Sequence, residues 1–327
     1  MGSGAVEGGG VRRISGYMLV LLGMLFIFLA PFLRFYATPR VEKAPLDLYD
    51  RITATGQGEY FSTSPKFLRL VGPVPLENTQ VYRGDVPAGS SSTAVYDSFS
   101  STKDTMHDAV IDASKARIVF DRVTGYAVHC CGESPREEGL TLKFPFEAQR
   151  TTYQVWDSTA KRALTATYVR DGLIVGLGVY LFLIQAGPMV IDHVDVPGSL
   201  AGVPDQKTVT ADMTYQVRQL YWVEPETGAI LKGIQHGVRW LAYQGQPVLK
   251  VADTTLAADE QSIRHIARRL KSQLSQLHLE KNSLPVYGPI IGVILTVAGA
   301  FLLRVPRRRR PVVTPKRVEE REETAAS

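Results

Sequence analysis

The sequence is poor in the residues from which metal and redox sites are built. Its 327 residues contain two cysteines and six histidines. The cysteines are adjacent, Cys130 and Cys131, in the stretch AVHCCGESPREEG. Adjacent cysteines cannot form a CxxC redox pair, and with no others a four-cysteine zinc site is excluded. A framework of several disulfides is excluded on the same count. No two histidines stand at the i, i+4 spacing of helical ligands, and HExxH, GxSxG, Walker and GxGxxG motifs are all absent. The run DHVD (Asp192–Asp195) has metal-capable side chains, but on a strand His193 points away from Asp192. The expectation is a protein without metal, cofactor or catalytic constellation, and not an enzyme.

A second absence is charge within two long apolar runs. ISGYMLVLLGMLFIFLAPFL (Ile14–Leu33) and LPVYGPIIGVILTVAGAFLL (Leu284–Leu303) contain no charged residue. Each has about 20 residues, enough to cross roughly 30 Å of hydrocarbon as a helix. The first is too long for a typical signal-peptide core and no small-x-small site follows, so it reads as an uncleaved anchor. Val6 stands where a myristoylation signal needs Ser or Thr.

The formal net charge of +5 is concentrated beside these runs, at Arg12–Arg13, Arg264–Lys271 and Arg304–Arg310. Basic clusters that flank apolar runs point to a membrane, not to nucleic acid. The positive-inside rule places both termini in the cytoplasm. The chain then divides into a cytoplasmic tail (1–13), a transmembrane helix (14–36), a β-rich exoplasmic domain (37–257), an amphipathic helix (258–283), a second transmembrane helix (284–303) and a basic-then-acidic cytoplasmic tail (304–327). The arginine run reads first as a topology signal and second as a holder of anionic head groups.

The exoplasmic domain is mainly β (α+β). RIVFDRVTGYAV (Arg117–Val128) and LYWVEPETGAIL (Leu220–Leu231) each place a polar turn with a late Gly between β-rich runs. TYQVWDSTAKRALTATYV (Thr152–Val169) predicts a third hairpin. Such spacing suggests an antiparallel sandwich or open barrel. LIVGLGVYLFLI (Leu173–Ile184) lacks polar alternation, so as a strand both of its faces meet apolar surroundings. It is either a central core strand or one whose Leu177, Val179, Leu181 and Leu183 line a lipidic ligand or the bilayer. In Ala258–Asn282, Ile263, Ala267, Leu270, Leu274 and Leu277 form one apolar stripe. That helix packs on the domain, pairs with a second subunit or lies on the membrane.

Gly288 and Gly292 form a GxxxG spacing in the second run, and Gly16 and Gly23 lie a heptad apart in the first, which suits close helix packing. Cys130 and Cys131, outside the cytoplasm, form a vicinal disulfide, remain a thiol pair, bridge to another chain or touch a metal; the Gly132–Pro135 turn suits the first.

The segments RRISGYMLVLLGMLFIFLAPFLRFY, IVFDRVTGYAV, LTLKFPFEAQRTTYQVWD and YWVEPETGAILKG, in this order, resemble the actinobacterial PorA-type porin-like family. The resemblance implies a cell-envelope role and supplies no catalytic residues. The layout is also similar to that of CD36-type scavenger receptors, in which a β ectodomain between two anchors holds a hydrophobic conduit. The expected function is an envelope membrane protein that binds or passes a lipid or other hydrophobic ligand, alongside an envelope transporter. The alternatives are a structural subunit of an envelope complex and a homo-oligomeric pore.

Overall fold

The computed structural model describes residues 7–32, 42–62, 68–278 and 284–304. They fall into two units. One contains two helices, α1 (Glu7–Phe32) and α3 (Leu284–Arg304). The other contains ten strands and the helix α2 (Glu260–His278).

The strands are β1 (Tyr49–Ser62), β2 (Arg69–Gly84), β3 (Thr93–Asp104), β4 (Ala109–Asp121), β5 (Tyr153–Asp157), β6 (Arg162–Ile174), β7 (Leu177–Val196), β8 (Val209–Val223), β9 (Ile230–Tyr243) and β10 (Gln246–Ala258). They form a single sheet of order β4-β3-β2-β1-β10-β9-β8-β7-β6-β5. Every named pairing is antiparallel. Sequence neighbours pair as hairpins, and β1 meets β10, with Ala54 opposite Ala258. The order is that of an up-and-down barrel left open between β4 and β5. Of the two architectures expected, the open barrel is the one observed. The sheet is strongly curled: Tyr82 on β2 and Tyr221 on β8 interact electrostatically. In a flat sheet those strands would lie roughly 19 Å apart.

Residues 122–152, the closing segment, lie between the two edge strands β4 and β5. They bridge to β4 at Arg117–Ser134 and Phe120–Ala127, and to β5 at Leu140–Val155. The stretch after the DRVTG turn, expected as the second arm of a hairpin, is held by these isolated bridges and forms no regular strand.

One turn chemistry recurs. Asp104, Asp121, Asp157 and Glu224 each accept hydrogen bonds from the backbone N–H groups two and three residues on. The fourth residue on then takes positive φ: Asp108, Gly125, Lys161 and Gly228. A carboxylate that satisfies two turn donors fixes the reversal locally. Gly228 has a second reason to be glycine, since a Cβ there would lie 2.0 Å from the Phe144 carbonyl oxygen. Phe144 N–H also donates to Gly228 O at 2.8 Å, which ties the closing segment to the β8–β9 turn.

The apolar run 173–184, expected as one strand, is divided. Ile174 ends β6, Val175 and Gly176 turn at φ of 50° and 75°, and Leu177 begins β7. Two successive left-handed residues make the tight turn that joins twisted strands.

Asp259 starts α2 by accepting the Ser262 N–H at 2.6 Å. Ile263, Ala267, Leu270 and Leu277 are buried, with Leu274 packed beside them, as the stripe predicts; Ile266, which the stripe did not include, is buried with them. The expected end of this helix, 279–283, lies outside the described residues.

In the other unit, α1 already begins at Glu7, within the stretch expected as a tail. Among the described residues one stretch, Tyr287–Arg304 of α3, is long and apolar enough to cross a bilayer; the apolar stretch of α1, Ile14–Leu29, is shorter. Of the first span expected at 14–36, residues 33–36 lie outside the described residues, as do those of the tail beyond Arg304.

Candidate functional site

The side chains of the apolar strand are occupied within the fold. Leu177 and Val179 pack with Leu231 against Ile263, Ile266, Ala267 and Leu270 of α2. Leu181 is buried as well, and Leu183 is half-buried. The alternate residues Phe182 and Ile184 enter a second core with Leu140, Phe144, Tyr153 and Val155. There Phe144 stacks on Phe182 at 4.6 Å, and Tyr153 meets Phe182 edge-on at 5.7 Å. Apolar surroundings on both faces are what the run demanded; helix α2 and the closing segment supply them.

Beside the second core lies a buried polar network. Asp157, 4% exposed, accepts from the Gln219 side chain at 2.9 Å as well as from its own turn. Tyr221 donates to Gln219 Oε1 at 3.2 Å. Burial raises the Asp157 pKa against the pull of these donors, and it raises those of Tyr215 and Tyr221 far above the usual phenol. Glu137 in the closing segment is pushed up to about 7 by burial, with Glu133 adding repulsion, and its Oε2 has no hydrogen-bond partner. Lys143 is brought down to about 7 by burial; its Nζ donates to Val123 O at 3.2 Å.

The structure joins Cys130 and Cys131 to each other as a vicinal disulfide, with Cys131 at φ 60°. Both residues are exposed. Arg117 of β4 fastens this turn: Nε donates to Cys131 O at 2.9 Å, while its other nitrogens reach Asp85 at 2.6 Å and Asp97 at 2.7 Å. His129 lies 3.1 Å from Glu133. Among the described residues no three His, Cys, Asp or Glu side chains converge as a metal site. In the DHVD run, His193 sits 2.8 Å from Asp212 on the neighbouring strand.

A depression of about 330 Å³ crosses β7, β8 and β9, bordered by Gln185, Gln216, Arg218, His236, Val238 and Trp240. Its border is mostly polar, unlike an acyl-chain tunnel. Sequence reasoning missed it, because its residues come together only through strand register, with Gln185 opposite Arg218 and Arg218 opposite His236.

Glycines bring α1 and α3 into close antiparallel contact. A Cβ on Gly23 would lie 2.5 Å from Gly292 O, and one on Gly299 would lie 2.7 Å from Gly16 O. Gly292 thus lies at the contact, and Gly288 is buried. Gly299, a heptad after Gly292, is the partner that the GxxxG spacing did not indicate; the heptad of Gly16 and Gly23 was the signal for it.

A search among curated proteins finds no significant match. The sequence matches the family described as Porin PorA over residues 15–301. That match runs from α1 through all ten strands to α3 and places the protein among porin-like membrane proteins of the cell envelope. The chain belongs to the Porin PorA family.

Proposed function

We propose that the chain is a non-catalytic structural subunit of the cell envelope, anchored by α1 and α3 with both termini cytoplasmic. Its curled sheet stands outside the membrane as a platform for a partner, either a transporter or a further copy of the chain. The observation that carries this reading is the covering of β7: its most apolar stretch is enclosed by α2 on one set of side chains and by Phe144 and its neighbours on the other. That leaves Leu177, Val179 and Leu181 to the domain's own core rather than to a lipid. A spanning barrel would need an outward apolar band on its strands. β3 (TAVYDSFSSTKD) and β4 (AVIDASKARIVFD) carry Ser, Thr, Asp and Lys on both alternations through their middle portions, which suits water on both sides.

The test uses full-length protein reconstituted with a lipid carrying a photoreactive acyl chain, followed by peptide mapping. The platform reading predicts adducts in α1 and α3 and none at 177–184. Adducts at Leu181 or Leu183 would restore the lipid-conduit reading. Discrete single-channel currents from the same preparation in a planar bilayer would favour the pore.

A further inference from the structure

The tip of the β6–β7 hairpin is aliphatic and exposed. Leu173 is 75% exposed and Val175 47%. Val175 does not stand in open water alone: with Gln261, Arg264 and Arg268 of α2 it borders a broad depression of about 610 Å³. The next residue, Gly176, would carry a Cβ 3.6 Å from Lys271 Nζ. Arg264, Arg268 and Lys271 recur at intervals of four and three, so they form one exposed stripe on α2. The acids nearest in sequence on these elements are already paired, Glu260 with Arg264 at 2.7 Å and Asp171 with Arg150 at 2.9 Å. Among the described residues, neither Arg268 nor Lys271 has an ion-pair partner.

Exposed aliphatic side chains at a hairpin tip, bordered by unpaired cations, have the composition of a surface that enters the interfacial layer of a bilayer. The aliphatic tips bury among acyl carbons while the ammonium and guanidinium groups meet phosphates. Covalent reach favours this occupant over a soluble one. Only residues 279–283 separate His278 of α2 from Leu284 of α3, at most about 20 Å of chain. A bilayer that holds α3 is therefore always at hand.

We propose that the β6–β7 tip and the basic stripe of α2 dock on the anionic phospholipid of the bilayer in which α3 is anchored. This rests on the anchored reading and adds to it a preferred orientation of the platform, set by lipid charge. Each cation near an anionic surface shifts the docked-to-undocked ratio by about fivefold, so removal of two shifts it by roughly 25-fold. The attraction weakens as the screening length falls from about 10 Å at 0.1 M salt to about 3 Å at 1 M.

The experiment places an environment-sensitive fluorophore on Leu173→Cys in the full-length protein, in nanodiscs containing nitroxide-labelled lipid. A second variant, Val110→Cys on β4, which is 63% exposed, is the reference position. The expected result is strong quenching at position 173 in discs rich in phosphatidylglycerol, and little at position 110. High salt, discs of phosphatidylcholine alone and the double variant R268Q/K271Q should each weaken the quenching at 173. Absence of quenching at 173 in anionic discs overturns the proposal, and so does quenching that ignores lipid charge, salt and the double variant. Co-elution of the protein with discs reads anchorage separately: its loss would refute the anchored reading itself.

Discussion

Leu270→Ala tests whether α2 is part of the domain's core. Leu270 is 1% exposed and packs in the cluster of Leu177, Val179, Leu231, Ile263, Ile266 and Ala267. Truncating a buried leucine costs the transfer of the lost methyl groups and leaves a cavity, together about 3–4 kcal/mol. A unit of this size loses about 2–4 °C of Tm per kcal/mol, so the midpoint should fall by about 6–16 °C. Trp222 packs against the same cluster, so its fluorescence can follow the transition in detergent. Leu173→Ala, at an exposed position in the same apolar run, should change stability by at most about 0.5 kcal/mol. Val179→Ala should couple to Leu270→Ala by about 0.5–3 kcal/mol in a double-mutant cycle, because the two side chains share one cavity. Equal midpoints for Leu270→Ala and Leu173→Ala would refute the packing argument, and additivity of the first with Val179→Ala would refute the shared cavity.

Three further outcomes are expected. Glu137 titrates at about 7 in the folded chain against an ordinary 4.5, so the unfolded chain loses its proton first as pH rises. Stability should therefore fall between about pH 4.5 and 7; Glu137→Gln removes that loss and should gain on the order of 3 kcal/mol over the wild type at pH 8, measured by denaturant titration, whereas a pH-independent difference would contradict the assignment. Intact-mass analysis of unreduced protein should show Cys130 and Cys131 two protons lighter than the thiol pair, and replacing both with Ser should barely shift Tm, because so small a ring restrains the unfolded chain little; two titratable thiols would exclude the bond. Gly23→Ile should force α1 and α3 apart, since even a Cβ there would lie 2.5 Å from Gly292 O; the distance between spin labels on Leu21→Cys and Ile294→Cys, both exposed positions, should then lengthen, and an unchanged distance would count against the glycine contact.

Local chemistry was legible in the sequence. The α2 stripe named its buried face because helical periodicity and burial are the same pattern viewed twice. The EPETG turn marked the β8–β9 reversal because a carboxylate and a glycine four positions apart encode it. The Val175–Gly176 turn escaped because valine is an unusual first residue for positive φ, and its apolar neighbours hid the break. The pairing of β1 with β10 joins residues about two hundred positions apart, and no local pattern encodes it. The closing segment, whose first part reads as the second arm of a hairpin, takes its place only when the curled sheet brings β4 and β5 to either side of it. The candidate ligand residues Leu177, Val179, Leu181 and Leu183 were recognisable as apolar on both faces, but whether protein or lipid covered them depended on where α2 lay.

The measurement that bears most directly on the platform account is labelling with a membrane-impermeant thiol reagent in intact cells. Single cysteines would replace Ser3, Ser91 and Ser327, positions chosen before α1, within the sheet unit and after α3. The account predicts that position 91 reacts, while 3 and 327 react only after the membrane is permeabilised. Labelling of either terminal position in intact cells, or protection of position 91, would contradict a sheet domain held outside the membrane by two anchors.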